Sequence, residues 1–245
     1  MKKQTYPDIE IIVVDTNSTD GTVKFCEDND IKLLKSEWKT LGSRYIGLIN
    51  CSGNYVLLLD SDQFLEPTVI EQSVSMMEEY DMLCLEEKTF DPKSIIQKLF
   101  EADRRLIHDQ AELQLDPLYG ALTPRFYRKK ILEKVFTIIP REILPFAKAA
   151  EDSIIYFEAS KLSKRVGMVP NAVWHQEPKG LLELWRKNHG YGKSARQLLK
   201  TSHYSSLVSK KLRLRDSARA SKDKILSSIL LSIKGPAYLI GFYLG

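Results

Sequence analysis

Tyr55-Val56-Leu57-Leu58-Leu59-Asp60-Ser61-Asp62 drives an apolar strand straight into two carboxylates spaced one residue apart. The run Val56 to Leu59 has the continuous hydrophobicity of a strand covered on both faces in a parallel sheet. The carboxyl end of such a strand is where open α/β sheets bind their ligands. Ionised Asp60 and Asp62 at that edge cannot sit unpaired in a core, so a hard cation with oxygen ligands is one natural partner. A solvated turn in which either Asp caps the next helix is the other reading of the same tripeptide.

Elements alternate on both sides of this strand. Ile9 to Val14 reads as an apolar strand ending at Asp15, followed by the turn Thr16-Asn17-Ser18-Thr19-Asp20-Gly21 and a short helix over Thr22 to Asp28. Ile31 to Leu34 is a weaker strand. Leu41 to Asn50 places Leu41, Tyr45, Leu48 and Ile49 on one helical face, which predicts packing against the sheet. Ser52-Gly53-Asn54 turns the chain into the Asp60 strand. Glu66-Pro67 is expected to open a helix through Met77, and Met82 to Leu85 supplies another strand. The β-α-β order predicts an α/β fold with a mainly parallel sheet covered by helices.

At 245 residues the chain is long enough for one large α/β domain plus appendages. Cys26, Cys51 and Cys84 lie far apart without Cys-x-x-Cys spacing, which argues against a disulfide framework or a zinc site and points to a reducing compartment. Met1-Lys2-Lys3 leads into a polar stretch, so no cleavable signal peptide is expected.

The net charge of +4 hides an asymmetry. Arg186 to Lys224 holds 12 Lys and Arg against Asp216 and Asp223, a net of +10, which leaves −6 on the rest of the chain. Residues 225–245 follow with Lys234 as their only charge and Gly235-Pro236 in their middle. Their length is close to the roughly 20 residues that cross a bilayer, although Lys234 and Pro236 interrupt a clean span. A basic segment leading into an apolar one predicts attachment to an anionic membrane surface; a helical hairpin packed on the domain is the alternative. No nucleic-acid motif accompanies the charges, so no nucleic-acid partner is expected. The boundaries that follow are a catalytic-looking domain over 1–185, a basic helical segment over 186–224 and an apolar membrane-associating segment over 225–245.

Several blocks in order carry a family resemblance. Tyr6-Pro7-Asp8-Ile9-Glu10-Ile11-Ile12-Val13-Val14-Asp15-Thr16-Asn17-Ser18-Thr19-Asp20-Gly21-Thr22, then Leu41-Gly42-Ser43-Arg44, then Gly53 to Asp62 resemble signature blocks and the Asp-x-Asp motif of family 2 glycosyltransferases of the GT-A fold. The resemblance is densest over Gln4 to Leu85 and continues more thinly to about Gln197. It implies transfer of a sugar from a nucleotide-diphosphate donor to an acceptor hydroxyl with inversion, the acceptor being a saccharide or a lipid-linked or cell-envelope molecule. It also implies a Mn²⁺ or Mg²⁺ ion on the leaving diphosphate, and a cytoplasmic enzyme, peripheral or anchored at the cytoplasmic face of the membrane.

Residue by residue, the resemblance makes Asp62 the direct metal ligand. It turns Asp60 toward the donor's ribose or sugar, and sets Asp15 at the nucleobase. Arg44 matches a residue that approaches the nucleotide, a task that suits a guanidinium, although Tyr45 stands where the family often has Asn. Glu151-Asp152 matches the Glu-Asp motif at the start of an acceptor-side helix, with Asp152 as the catalytic base. His175, in Ala172-Val-Trp-His-Gln-Glu-Pro178, matches an occasional metal or diphosphate ligand. Arg186 or Lys193, in a basic Tyr-Gly segment, is placed to close over the diphosphate. Glu86 and Glu87 end the strand after Asp-x-Asp without an assigned role, and the acceptor loops between Phe90 and Phe146 match no motif.

Two other readings stay open. An apolar strand ending in Asp-x-Asp also fits a haloacid-dehalogenase-like phosphotransferase, although that class continues with Thr or Val where Gln63-Phe64 stand. A non-catalytic relative serving as a binding or scaffold subunit is the third. Its motive is the start of the chain: family members carry a strand and helix ahead of the block that opens at Gln4, so the sheet is expected to lack its usual first strand and to leave the nucleobase pocket open.

Overall fold

The computed structural model describes residues 3–109, 115–118, 121–209 and 221–245. Part of the stretch of acceptor loops and the middle of the basic segment, 210–220, lie outside them. The chain begins with β1 (Ile12–Asp15), α1 (Thr22–Asp28), β2 (Lys32–Lys35) and α2 (Thr40–Ile49). The Asp-x-Asp turn joins β3 (Tyr55–Leu57) to β4 (Gln63–Leu65), and α3 (Val69–Met76), β5 (Met82–Thr89) and α4 (Ile95–Asp109) follow. Then come β6 (Phe126–Arg128), α5 (Lys129–Ile138), a 3₁₀ turn at Arg141–Ile143, α6 (Glu151–Leu162), β7 (Val166–His175), α7 (Leu181–Lys200), α8 (Ser205–Ser209) and α9 (Ser221–Leu244).

β1 and β2 form a parallel pair, and a second sheet has the order β3-β6-β5-β7-β4. Its long β5–β7 ladder is parallel, while β6 and β4 run antiparallel to their neighbours. The second sheet is therefore mixed, with its longest ladder parallel, and the Asp60 strand itself pairs antiparallel with β6, from Tyr55–Arg128 to Leu57–Phe126. Among the described residues no strand joins β1 to β3.

Successive residues point to opposite faces of a strand, and the second sheet divides its core in that way. Met82 and Tyr127 enter a large cluster with Leu41 and Leu48 of α2, Leu132 and Val135 of α5, and Ile154 and Ile155 of α6. Their neighbours Leu83 and Phe126 enter a separate cluster with Val69 of α3 and Val169 and Val173 of β7. Ile49, expected on the buried face of α2, is 60% exposed because the helix ends there. Glu66-Pro67 likewise precedes α3 rather than opening it. The Glu66 backbone N–H donates to Ala172 O and its carboxylate accepts from Trp174 Nε1, so this residue belongs to the sheet edge.

α9 packs against the domain along two helices. It runs parallel to α7: Leu184 shares a cluster with Leu230, Gly192 abuts Tyr238, and Arg196 donates to the Tyr243 and Gly245 carbonyls at 3.1 Å. It runs antiparallel to α4, where Arg105 grips Asp223 at 2.8 and 3.0 Å and Ser227 Oγ donates to Asp103 Oδ1 at 2.6 Å. A β-carbon at Gly192 would collide with the Tyr238 carbonyl and one at Gly241 with the His189 carbonyl, so both glycines are needed for the close approach. Gly192→Val is expected to wedge α9 from α7 and lower Tm by about 3–10 °C, measured by thermal circular dichroism.

Candidate active site

The Asp60-Ser61-Asp62 turn is closed by its own neighbour. The Gln63 backbone N–H donates to Asp60 O at 3.1 Å while Gln63 Oε1 accepts from Asp60 N at 3.0 Å. Gln63 Nε2 then donates to Glu87 Oε1 at 3.1 Å, tying the turn to the end of β5. Two guanidiniums complete the arrangement. Arg44 NH2 lies 3.1 Å from Asp60 Oδ1 and 2.9 Å from Asp152 Oδ1. Arg125, just ahead of β6, reaches Asp60 Oδ2 at 3.0 Å, Glu87 Oε1 at 3.0 Å and Asp152 Oδ2 at 3.3 Å. Burial alone would weaken the charge on Arg125, but Asp152, Glu87 and Asp60 outweigh it and hold the guanidinium firmly protonated.

A second branch starts at Asp62. Its Oδ1 lies 3.5 Å from His175 Nε2 at the end of β7, and its Oδ2 lies 3.3 Å from Lys187 Nζ on α7. Behind His175, Nδ1 lies 3.3 Å from Glu177 Oε1. Arg104 of α4 joins the branches, donating through Nε to Glu177 Oε1 at 2.6 Å and through NH1 to Glu87 Oε2. Burial pushes the Glu87 carboxyl up, but Arg125, Arg104 and His175 more than offset it and hold it down to about 2.

Beside the turn opens a cavity of about 320 Å³, lined by Glu87, Arg104, His108, Lys148, Glu151, Asp152 and Tyr191 among others. The amino end of α6 forms one wall. Ala150, its N-cap, is held at φ 68°, a conformation uncommon for a residue with a β-carbon and a local store of strain. Ser194 Oγ of α7 fixes the preceding loop by accepting from the Lys148 and Ala149 backbone N–H groups at 2.9 and 3.1 Å. Burial, then the charges of Glu151, Asp60, Asp62 and Asp152, push the Tyr191 hydroxyl up. His108 Nε2 accepts from the Glu87 backbone N–H at 3.2 Å, and burial depresses its pKa.

The structure thus brings Asp60, Asp62, Glu151, Asp152, Arg44 and His175 to one site. Asp15 stands apart from this lattice. Its carboxylate accepts from the Ser18 N–H at 3.2 Å and stabilises the turn after β1. From the basic segment of α7, Lys187 is the cation that reaches Asp62, while Arg186 and Lys193 are exposed. Arg125, Arg104, Glu177 and Tyr191 carried no expectation from sequence. Glu87 was visible there only as one of two acids ending a strand. Because Glu87 is held low, its contribution to stability is fully present above pH about 4.5 and is lost as pH falls toward about 2. Glu87→Gln is expected to flatten that acid limb and to destabilise the fold at neutral pH by about 3 kcal/mol, read from urea unfolding across the pH range.

Comparison with known proteins bears on the family and the fold. Over 190 residues the chain is 23% identical to the poly(ribitol-phosphate) beta-N-acetylglucosaminyltransferase TarS of Staphylococcus aureus, aligning 73% of this chain with 32% of that protein. Over 80 residues it is 38% identical to the UDP-Glc:alpha-D-GlcNAc-diphosphoundecaprenol beta-1,3-glucosyltransferase WfgD of Escherichia coli, aligning 31% of this chain with 32% of that one. The chain spans about a third of the length of these curated relatives. The crystal structure of S. aureus TarS 1–349 in complex with UDP-GlcNAc superposes with a TM-score of 0.53 at 17% identity, covering 96% of this chain and 75% of that one, a likeness of fold. Residues 1–136, more than half of the chain, match the family model described as Glycosyl transferase family 2. The chain belongs to glycosyl transferase family 2 and has the GT-A fold.

Proposed function

We propose that this chain transfers a sugar from a nucleotide-diphosphate donor to an acceptor hydroxyl, with inversion, at the cytoplasmic face of a membrane. The observation that carries this reading is the joining of the Asp-x-Asp turn, through Arg44 and Arg125, to Asp152 on the wall of the cavity. Both Asp152 carboxylate oxygens lie within 3.3 Å of a guanidinium, and the residue lines the cavity that an acceptor hydroxyl would enter. Asp152 takes the hydroxyl proton as the acceptor oxygen bonds to the anomeric carbon. The bond from that carbon to the diphosphate oxygen breaks on the opposite side. Glu151, next to it on the cavity wall, orients the acceptor, and Asp60, fixed by two arginines, faces the donor. Asp15 is assigned to the nucleobase side on the family resemblance.

Asp62 and His175 suit a Mn²⁺ or Mg²⁺ ion. A carboxylate oxygen and an imidazole nitrogen lie 3.5 Å apart, and Glu177 Oε1 stands 3.3 Å behind the other ring nitrogen. Among the described residues no group of three or more His, Cys, Asp or Glu side chains could hold a metal, so Asp62 and His175 would supply only part of such an ion's ligands. Such an ion supplies positive charge against the leaving diphosphate. Lys187 adds a second positive charge beside Asp62.

For the acceptor, the relatives offer two chemistries. TarS is named for a poly(ribitol-phosphate) and WfgD for a diphosphoundecaprenol-linked sugar, which favours a cell-envelope acceptor, saccharide or lipid-linked. The basic residues of 186–224 and the apolar α9 supply attachment to an anionic membrane surface.

Titration with UDP-GlcNAc and with UDP-glucose, each with and without Mn²⁺, tests the reading. Asp62→Asn is expected to weaken metal-dependent donor binding and to cut transfer by about tenfold or more, as checked by calorimetry and sugar-transfer rates. Full activity in that variant would remove Asp62 from the metal site. Asp152→Asn should leave donor affinity nearly unchanged and reduce turnover by about a hundredfold or more. A parallel loss of donor affinity would make Asp152 a structural residue instead.

A further inference from the structure

Length and composition alone would let α9 cross a bilayer: within residues 222–244 an 18-residue window has a mean hydropathy of 1.5, and only 22% of that window is buried. Its polar ties forbid it. A spanning α9 would have to part from Arg105 and Asp103 of α4 and from Arg196 of α7, or carry them into hydrocarbon at several kcal/mol per charge. Lys234 already spreads its ammonium over the Phe100 ring, 4.3 Å from the centroid, at the middle of the helix. What remains unpartnered is one face. Ile225, Ile229, Pro236, Ile240 and Tyr243 are exposed and recur at helical spacing, with Ser232 in the same stripe.

Two further features point to the occupant of that face. At the amino end of α7, next to the Leu184–Leu230 contact with α9, Leu181 and Leu182 are each 62% exposed and Trp185 is 38% exposed. Exposed cations flank both apolar stretches: Lys179 just ahead of α7, Arg186 on it, and Lys222 on α9, the last two inside a segment whose sequence is strongly basic. Two apolar stretches, one carrying Trp185 and the other ending in Tyr243, with lysines and arginines at their margins, complement the interface of an anionic bilayer.

We propose that α9 and the first turn of α7 form one membrane-docking surface that lies in the plane of the bilayer interface without crossing it. On α7 the exposed Leu182 stands five residues before Lys187, about 8 Å along the helix, so docking holds the Asp62 side of the site close above the headgroups. Resting on the transfer reading above, this makes the acceptor a lipid-anchored molecule whose reactive hydroxyl lies near the membrane surface.

The test uses the full chain with vesicles of phosphatidylcholine alone and of equimolar phosphatidylcholine and phosphatidylglycerol. Ile229→Asp with Ile240→Asp, and separately Leu182→Asp, change only exposed positions outside the site. Each is expected to reduce co-sedimentation with the anionic vesicles by about tenfold or more while leaving UDP-GlcNAc binding and thermal stability unchanged. A fluorophore attached at Ile225→Cys and at Ile240→Cys should show equal, shallow quenching by depth-graded lipid quenchers. A deep or far-side position at one end would overturn the in-plane arrangement in favour of a span. Undiminished vesicle binding by all the variants would overturn the surface assignment. So would wild-type self-association that the variants abolish without any vesicle affinity, which would give the face to a second copy. Vesicle binding without nucleotide-sugar binding would leave the docking surface standing and sink the transfer reading alone.

Discussion

Arg125 is the constraint on which the rest of the site depends. Its guanidinium is buried and touches carboxylates from three separate parts of the chain: Asp60 in the Asp-x-Asp turn, Glu87 at the end of β5, and Asp152 at the start of α6. Removing a charge from water is expensive, and only well-placed opposite charges repay it. Each of those carboxylates meets a second cation or donor: Arg44 serves Asp60 and Asp152, while Arg104 and Gln63 serve Glu87. The lattice therefore fixes the distance between the turn and the cavity wall more tightly than apolar packing could. Loss of one member leaves a buried charge without its partner, which is far more damaging than the loss of a surface pair.

The same lattice divides the site by charge. On the cavity side, Asp152 and Glu151 stand at the amino end of α6, where the helix dipole favours carboxylates and the strained Ala150 sets their direction. On the other side, Asp62 faces His175 and Lys187, and Glu177 backs the imidazole. Arg104 bridges the two sides through Glu87 and Glu177 by two buried salt bridges. On the transfer reading proposed above, the first side would accept the proton and the second would hold the cation that an in-line group transfer needs.

α9 gives the domain its asymmetry. One side of the helix is spent on α4 and α7, with two glycines allowing backbone approach, and the other side stays apolar and open. α7 belongs to both settings, carrying Lys187 and Tyr191 at the site and Leu181, Leu182 and Trp185 at its exposed start. A rigid helix shared between the site and the proposed docking surface couples where the protein rests to what the site can reach.

Much of this was legible in the chain itself. Local periodicity and turn chemistry determine β1, α1, β2, α2 and the strand before Asp60, because an apolar run or a helical face is written in neighbouring residues. The family resemblance marked Asp60, Asp62, Asp152, Arg44 and His175, all of which meet at one site. Tertiary structure alone decided the antiparallel pairing of β3 with β6, since a three-residue strand more than 60 positions away leaves no local trace. It likewise decided the roles of Arg125, Glu87, Arg104 and Glu177. A lone arginine or glutamate in sequence reads as solvated surface, and only its burial against opposite charges from distant segments changes that reading. The apolar tail was ambiguous for the same reason: hydropathy records how apolar a helix is, whereas the partners on its other face, which choose between crossing a membrane and lying against the domain, are set by long-range contacts.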